Sequence, residues 1–344
     1  MNPFALSIII SSLALGTVTT LSSHHWIMAW IGLEINTLSI IPMMTKTPHP
    51  RAIEASTKYF LTQAAASALI LFASTMNAWA TGEWAVNDVI NGASATLLSI
   101  AIAMKLGIAP FHFWLPEVLQ GLSLQTGLIL STWQKFAPMA LLIQISQSVN
   151  LDLMLILGLL STMIGGWGGI NQTQIRKILA FSSIAHLGWM IAILKISPQL
   201  TTLNFILYIL MTSTLFLTFM FMETKNIYEL STSWSKTPSL AALSLLSLLS
   251  LSGLPPLTGF MPKWLIAQEM VKQDLTMFAL AILMSTLLSL FFYLRLTYIM
   301  SLTLAPNSST STATWPLNKK TIVAIPTTLS LSLLPITPMM LLWL

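Results

Sequence analysis

Charge is missing from long stretches of this chain. No charged side chain occurs among residues 1–33, and comparable apolar runs recur to the end of the 344 residues. About twenty predominantly apolar residues are enough to cross the hydrocarbon core of a bilayer as a helix. Charged residues make up 7% of the sequence, against about 25% in a soluble domain. Fifteen basic and ten acidic residues cannot cover a soluble globule of this length. A soluble enzyme, a disordered chain and a nucleic-acid binder are therefore excluded.

The apolar runs predict about eleven spanning helices, near 3–22, 25–45, 58–80, 90–113, 122–146, 151–171, 176–196, 199–222, 238–270, 275–299 and 322–343. Barrel strands would alternate over about ten residues, and runs such as Ile196–Met222 do not. The fold class is all-α, a polytopic membrane protein. Connections after even-numbered spans carry Lys46, Arg51, Lys58, Arg176, Lys177, Lys225, Lys236, Arg295, Lys319 and Lys320, whereas those after odd-numbered spans carry Lys195 and Lys272. Basic loops stay on the cytoplasmic or matrix side. The N-terminus is expected there and the C-terminus opposite. The N-terminal stretch lacks lysine and arginine, so neither a secretory signal nor a transit peptide is expected in it.

The chain has no cysteine, which excludes disulfides, thiolate catalysis, iron–sulfur clusters and cysteine zinc sites. Gly165-Gly166-Trp167-Gly168-Gly169 follows an apolar span rather than a strand, so helix packing through small residues explains it better than nucleotide binding. His24 and His25, beside Trp26, read as interfacial.

Four charges fall inside predicted spans: Glu34, Lys105, Lys135 and Lys263. Each costs roughly 2.5–3.5 kcal/mol at a helix centre, and such residues mark ion paths or proton relays. Structural ion pairing is the plainer reading, but one carboxylate cannot neutralise three ammonium groups. Burial disfavours a charged amine and a nearby carboxylate favours it, so a buried lysine can be loaded and unloaded with a proton when neighbouring charge moves. His112 lies in the span of Lys105 and His186 in the middle of the 176–196 span, and imidazole ordinarily titrates near neutrality, which suits a relay; a histidine that simply hydrogen-bonds a neighbour fits as well.

Two spans are interrupted by Gly and Pro, at Lys105-Leu106-Gly107-Ile108-Ala109-Pro110 and from Ser252 to Lys263. Proline removes a backbone donor and forces the helix open, and open backbone at membrane depth survives only against protein interior or a hydrated cavity. A buried lysine accompanies each break. The breaks lie five helices apart, and an odd offset predicts two repeats of opposite topology, 1–147 and 150–302, followed by a loop and final helix over 303–344.

These stretches resemble a known family. Met1-Asn2-Pro3, Trp30 to Asn36, Lys105 to Glu117, Gln172 to Met190 and Gly253 to Trp264 are similar to the antiporter-like membrane subunits of NADH–ubiquinone oxidoreductase, respiratory complex I, in particular its mitochondrial subunit 2 family. The resemblance extends over essentially the whole chain. It implies inverted five-helix repeats with discontinuous helices, and a proton relay of a Glu34–Lys105 pair, central Lys135 and Lys263, with His112 and His186 on the same axis. It further implies that NADH, FMN, Fe–S clusters and ubiquinone are bound by other subunits, with no cofactor or metal on this chain. Partners would be neighbouring antiporter-like and small membrane-arm subunits and phospholipids, with cardiolipin a candidate, in the mitochondrial inner membrane with the N-terminus in the matrix and the C-terminus in the intermembrane space. A stand-alone cation/proton antiporter and a non-pumping scaffold of the same complex remain the alternatives.

Overall fold

The computed structural model describes residues 3–46, 49–89, 91–302 and 323–335. Lys319, Lys320, Met1-Asn2, most of the connection expected after residue 300, and the final span beyond 335 lie outside the described residues. Within them the chain is helical, and the only β-type pairings are two isolated bridges, His25 with Ala85 and Gln174 with Asn226. It divides into two compact units, Met1–Ser161 and Thr162–Leu344.

The first unit contains α1 (Pro3–Leu21), α2 (Trp26–Met44), α3 (Pro50–Thr81), α4 (Gly92–Leu106), α5 (Trp114–Gly121), α6 (Leu124–Ser131) and α7 (Trp133–Gln144), and α8 (Leu151–Ile170) runs across the division. The α1–α2 crossing is close because both helices present glycine: a Cβ on Gly16 would stand 2.6 Å from Asn36 Oδ1, and one on Gly32 2.5 Å from Thr19 Oγ1. Helix α3 starts eight residues earlier than the sequence suggests. Pro50 stands in its first turn, where no amide proton is needed, and the His49 ring accepts from the Arg51 amide at 3.1 Å. At 32 residues α3 is about 48 Å long, more than the ~30 Å hydrocarbon core. Its first turns, with Arg51, Glu54 and Lys58, can thus project beyond the apolar layer.

The expected single helix over 122–146 is instead two helices. Ser131 Oγ, Thr132 Oγ1 and the Thr132 amide all donate to the Leu128 carbonyl, at 3.1, 2.7 and 3.0 Å. Such back-bonding competes with the helix ladder and bends it. Pro138 inside α7 adds a second irregularity, because its ring cannot pair with the Gln134 carbonyl.

The second unit contains α9 (Ile175–Ile193), α10 (Pro198–Met222), the short α11 (Ile227–Ser231) and α12 (Ser233–Lys236), α13 (Pro238–Ser252), α14 (Phe260–Lys272), α15 (Thr276–Leu302) and α16 (Ala324–Ser332). The glycine run is a packing face: Cβ atoms on Gly165 and Gly168 would collide with Ala185 and Phe181 of α9, and on Gly166 and Gly169 with Leu288 and Phe292 of α15. Helix α16 packs on α10 and α13, and the Ser330 carbonyl accepts from Thr258 Oγ1 at 2.5 Å.

Many serines and threonines stand fully buried, and their hydroxyls are satisfied within their own helix. Ser244, Ser247 and Ser250 of α13 each donate to the carbonyl three residues back, at 2.9, 2.9 and 2.7 Å. This lets a hydroxyl-rich sequence remain in a medium without water. Helices α1, α2, α3, α8, α10 and α15 are each long and apolar enough to cross a membrane. Helices α4 and α13 are shorter apolar segments, and each stops at a break.

Candidate functional site

Each break ends in the same way. Gly107 after α4 and Gly253 after α13 take left-handed backbone, φ +75° and +87°, the conformation that closes a helix where side-chained residues are strained. The Gly107 amide returns to the Ala103 carbonyl at 3.1 Å, and that of Gly253 to the Ser250 carbonyl at 3.0 Å.

In the first unit the break positions Lys105 in the last turn of α4. Its side chain is 5% exposed and its Nζ has no hydrogen-bond partner. Lys135, 3% exposed in the first turn of α7, lines the same enclosed cavity. That cavity measures about 20 Å³, room for about one water. Helix α2 contributes Leu33, Asn36 and Thr37 to its wall, and α3 contributes Tyr59 and Gln63. Two amide side chains tie the wall together: Gln63 Nε2 donates to the Lys105 carbonyl at 3.3 Å, and Gln134 Nε2 to the Asn36 carbonyl at 3.2 Å. Trp114 Nε1 donates across the break to the Met104 carbonyl at 3.2 Å.

Glu34 is not in direct ion pairing with Lys105. Residues 33, 36 and 37 form the cavity-facing stripe of α2; Glu34 is not on the wall, and at about 100° per residue it stands beside this stripe, about 60° from Thr37. The carboxylate is half-buried, accepts from Thr37 Oγ1 at 3.3 Å, and acts on Lys105 through space. His112 lies in the turn between α4 and α5, hydrogen-bonded to the Pro110 carbonyl, with its ring centroid 4.3 Å from that of Phe113. It does not line the lysine cavity.

In the second unit Lys263 comes after the break, in the first turn of α14. Its ammonium reaches back to the end of α13, donating to the Ser252 carbonyl at 2.8 Å and the Leu251 carbonyl at 3.5 Å. A cation there meets the negative end of the helix dipole and carbonyls with no intrahelical partner. Lys263 and His186 line one cavity of about 10 Å³ with Ala185, Trp189, Ser289 and Tyr293. His186 is buried in α9, its ring 5.8 Å from that of Tyr208.

The six residues singled out from sequence thus fall at three places: Lys105 and Lys135 on one cavity with Glu34 beside its wall, Lys263 and His186 on another, and His112 in the first break. The buried amides Asn36 and Gln63 and the half-buried Gln134 were not anticipated. Their signal in the sequence is an uncharged polar group in an apolar helix, which is costly unless hydrogen-bonded. Among the described residues no group of three or more His, Cys, Asp or Glu forms a metal-ligand set. The arrangement can hold protons on buried amines beside polar side chains.

Comparison with known proteins agrees with this geometry. Residues 23–289 match the family described as NADH:quinone oxidoreductase/Mrp antiporter, TM, and residues 290–341 match the NADH dehydrogenase subunit 2 C-terminus. The chain is 62% identical to NADH-ubiquinone oxidoreductase chain 2 of Aquarana catesbeiana, over 99% of this chain and 100% of that protein. Among solved structures, a chain of respiratory complex I from Thermus thermophilus superposes with a TM-score of 0.87 at 26% identity, covering 99% of this chain and 80% of that one. A chain of the Mrp complex from Dietzia sp. DQ12-45-1b shares the fold, with a TM-score of 0.78 at 18% identity over 84% of this chain and 59% of that one. A multi-helix membrane bundle with two buried lysines on one small cavity, and whose sequence matches end to end, belongs to the NADH:quinone oxidoreductase/Mrp antiporter family and, within it, to the NADH–ubiquinone oxidoreductase chain 2 group.

Proposed function

We propose that this chain is a membrane-arm subunit of respiratory complex I that carries protons across the mitochondrial inner membrane. Redox chemistry between NADH and ubiquinone, with its FMN and Fe–S clusters, takes place on other subunits, which drive this one by coupled charge and conformational change. The relay consists of Glu34, Lys105, Lys135 and Lys263, with His112 and His186 as further carriers. The observation that carries this reading is the pair of buried lysines, Lys105 and Lys135, on one enclosed cavity within a bundle of this family. A scaffold would gain nothing from ammonium groups placed so deep, each of which costs several kcal/mol unless compensated.

The chain is read as eleven crossings, with the N-terminus in the matrix, in two inverted repeats over 1–147 and 150–302. Support comes from the two left-handed glycine breaks and the two isolated bridges, which recur in the same order along the chain. Neighbouring membrane-arm subunits and phospholipids, cardiolipin among the candidates, would cover its outer apolar faces.

The test begins with membranes solubilised in mild detergent and run on a native gel. Co-migration of the chain with a very large band active in NADH dehydrogenase staining is expected; a small inactive species would instead favour the stand-alone antiporter. In the assembled complex, Lys135→Ala should then lower the protons moved per electron. Unchanged pumping would make the chain a scaffold.

A further inference from the structure

We propose that Asn36 binds an ordered water that joins Lys105 to Lys135, making it a positioning residue of the relay. The inference rests on the proton-carrying role proposed above and adds a residue and a ligand site to it. Asn36 is 2% exposed, and both its Oδ1 and Nδ2 are buried with no hydrogen-bonding partner, as is Lys105 Nζ. Buried polar atoms are nearly always hydrogen-bonded in folded proteins, to protein or to ordered water. Three such atoms, on two residues that line the same small cavity, point to one shared partner.

Size and chemistry identify it. The cavity of about 20 Å³ has room for about one water. A cation is disfavoured by the two lysines on its wall, and an apolar molecule by the amides. Water both donates and accepts, as Asn36 Nδ2 and Oδ1 require of a single partner, and it accepts from an ammonium or donates to an amine. It therefore serves Lys105 in either protonation state, as a direct ion pair with Glu34 would not.

The side chain is also held in place. Gln134, next to Lys135, donates to the Asn36 carbonyl at 3.2 Å, and Gly16 of α1 presses against the amide so closely that a Cβ there would stand 2.6 Å from Oδ1. The amide is thereby kept between α1 and the cavity. With a water hydrogen-bonded at about 2.8–3.0 Å on each side, groups too far apart to touch are linked for proton transfer. The water takes a proton from one amine as it gives its own to the other, so no charge stays on it.

The experiment uses the assembled complex in sealed vesicles, with protons per electron and NADH turnover measured for Asn36→Leu, Asn36→Ser and Lys135→Ala. Asn36→Leu, close in size but unable to hydrogen-bond, should lower protons per electron as far as Lys135→Ala does. Asn36→Ser, which keeps a donor and an acceptor, should restore at least half of that loss. Equal defects in Leu and Ser variants would show a packing role and overturn the proposal. Normal pumping by Asn36→Leu beside a defective Lys135→Ala would overturn it while leaving the relay standing. Normal pumping by both would overturn the relay itself. Should Asn36→Leu fail to assemble, the unsubstituted complex decides the matter: a high-resolution map should show water density about 3 Å from the Asn36 amide, and a dry cavity there would overturn the proposal.

Discussion

Seven residues beyond its left-handed glycine, each broken helix restarts with the same pattern: Trp114-Leu115-Pro116-Glu117 opens α5, and Phe260-Met261-Pro262-Lys263 opens α14. Aromatic, aliphatic and proline positions agree, and the fourth position carries opposite charge. In the second unit that residue turns back to the carbonyls ending α13. In the first, Glu117 turns outward, to Lys58 of α3 at 2.6 Å, and the buried lysine sits before the break. One backbone device therefore supports two electrostatic arrangements. Lys263 is compensated locally by an unsatisfied helix end, whereas Lys105 has no hydrogen-bond partner within the protein and feels Glu34 only through space.

The contrast is sharpest in stability. Methionine has nearly the volume of lysine without its charge. Lys263→Met would remove two donors from the end of α13, and hydrogen bonds to charged groups contribute about 1.5–3 kcal/mol each. The thermal midpoint of the assembled complex should fall. Lys105→Met removes a buried amine that no protein group hydrogen-bonds, so stability should hold or rise, since apolar replacement of buried charge often stabilises by about 1–4 kcal/mol. Both variants should lose proton transport in vesicles. Equal destabilisation by the two would erase the distinction between the breaks.

A smaller effect separates the glycines. Alanine at either φ costs about 1–2 kcal/mol for left-handed backbone. At Gly253 its Cβ would stand 2.8 Å from Lys263 Nζ, at the far end of a flexible chain that moves away; at Gly107 the nearest atom is the Trp114 ring at 3.2 Å. Gly253→Ala should therefore impair pumping beyond its cost in stability, and Gly107→Ala should lower stability with pumping largely retained. Pumping lost in parallel with stability at both sites would mean that Lys263 does not depend on where its ammonium is held.

Much of this was legible in the sequence, because the bilayer restricts what a sequence can do. Apolar length marked the helices, and proline with glycine marked both breaks, since those residues act on the local backbone. What depends on helix rotation was not legible. Glu34 and Lys105 look like a pair on paper, yet two residues along α2 bring Asn36 to the cavity in place of Glu34. The split at Thr132 arose from three donors converging on one carbonyl, with no glycine or proline to announce it. That Lys105 and Lys135 share a cavity depends on the packing of α4 against α7, for which thirty residues of spacing give no sign.

The least effect is expected where charge is most visible. Lys58 lies 2.6 Å from both Glu54 and Glu117, an ion-pair cluster that links α3 to α5. By position Glu117 is the counterpart of Lys263, and a reader guided by repeat symmetry would assign it equal weight. The surroundings argue otherwise. The side chains of Lys58, Glu54 and Glu117 are 41, 62 and 52% exposed, so water and salt screen the cluster and each charge is solvated without its partners. At about 0.15 M salt the screening length is about 8 Å. Glu117→Gln, which keeps the shape and removes the charge, should leave protons per electron unchanged and the thermal midpoint within measurement error, with any difference growing only as salt is lowered. A pumping defect in this variant at physiological salt would show that the fourth position of the restarted helix matters in both units, and that burial is not what distinguishes them.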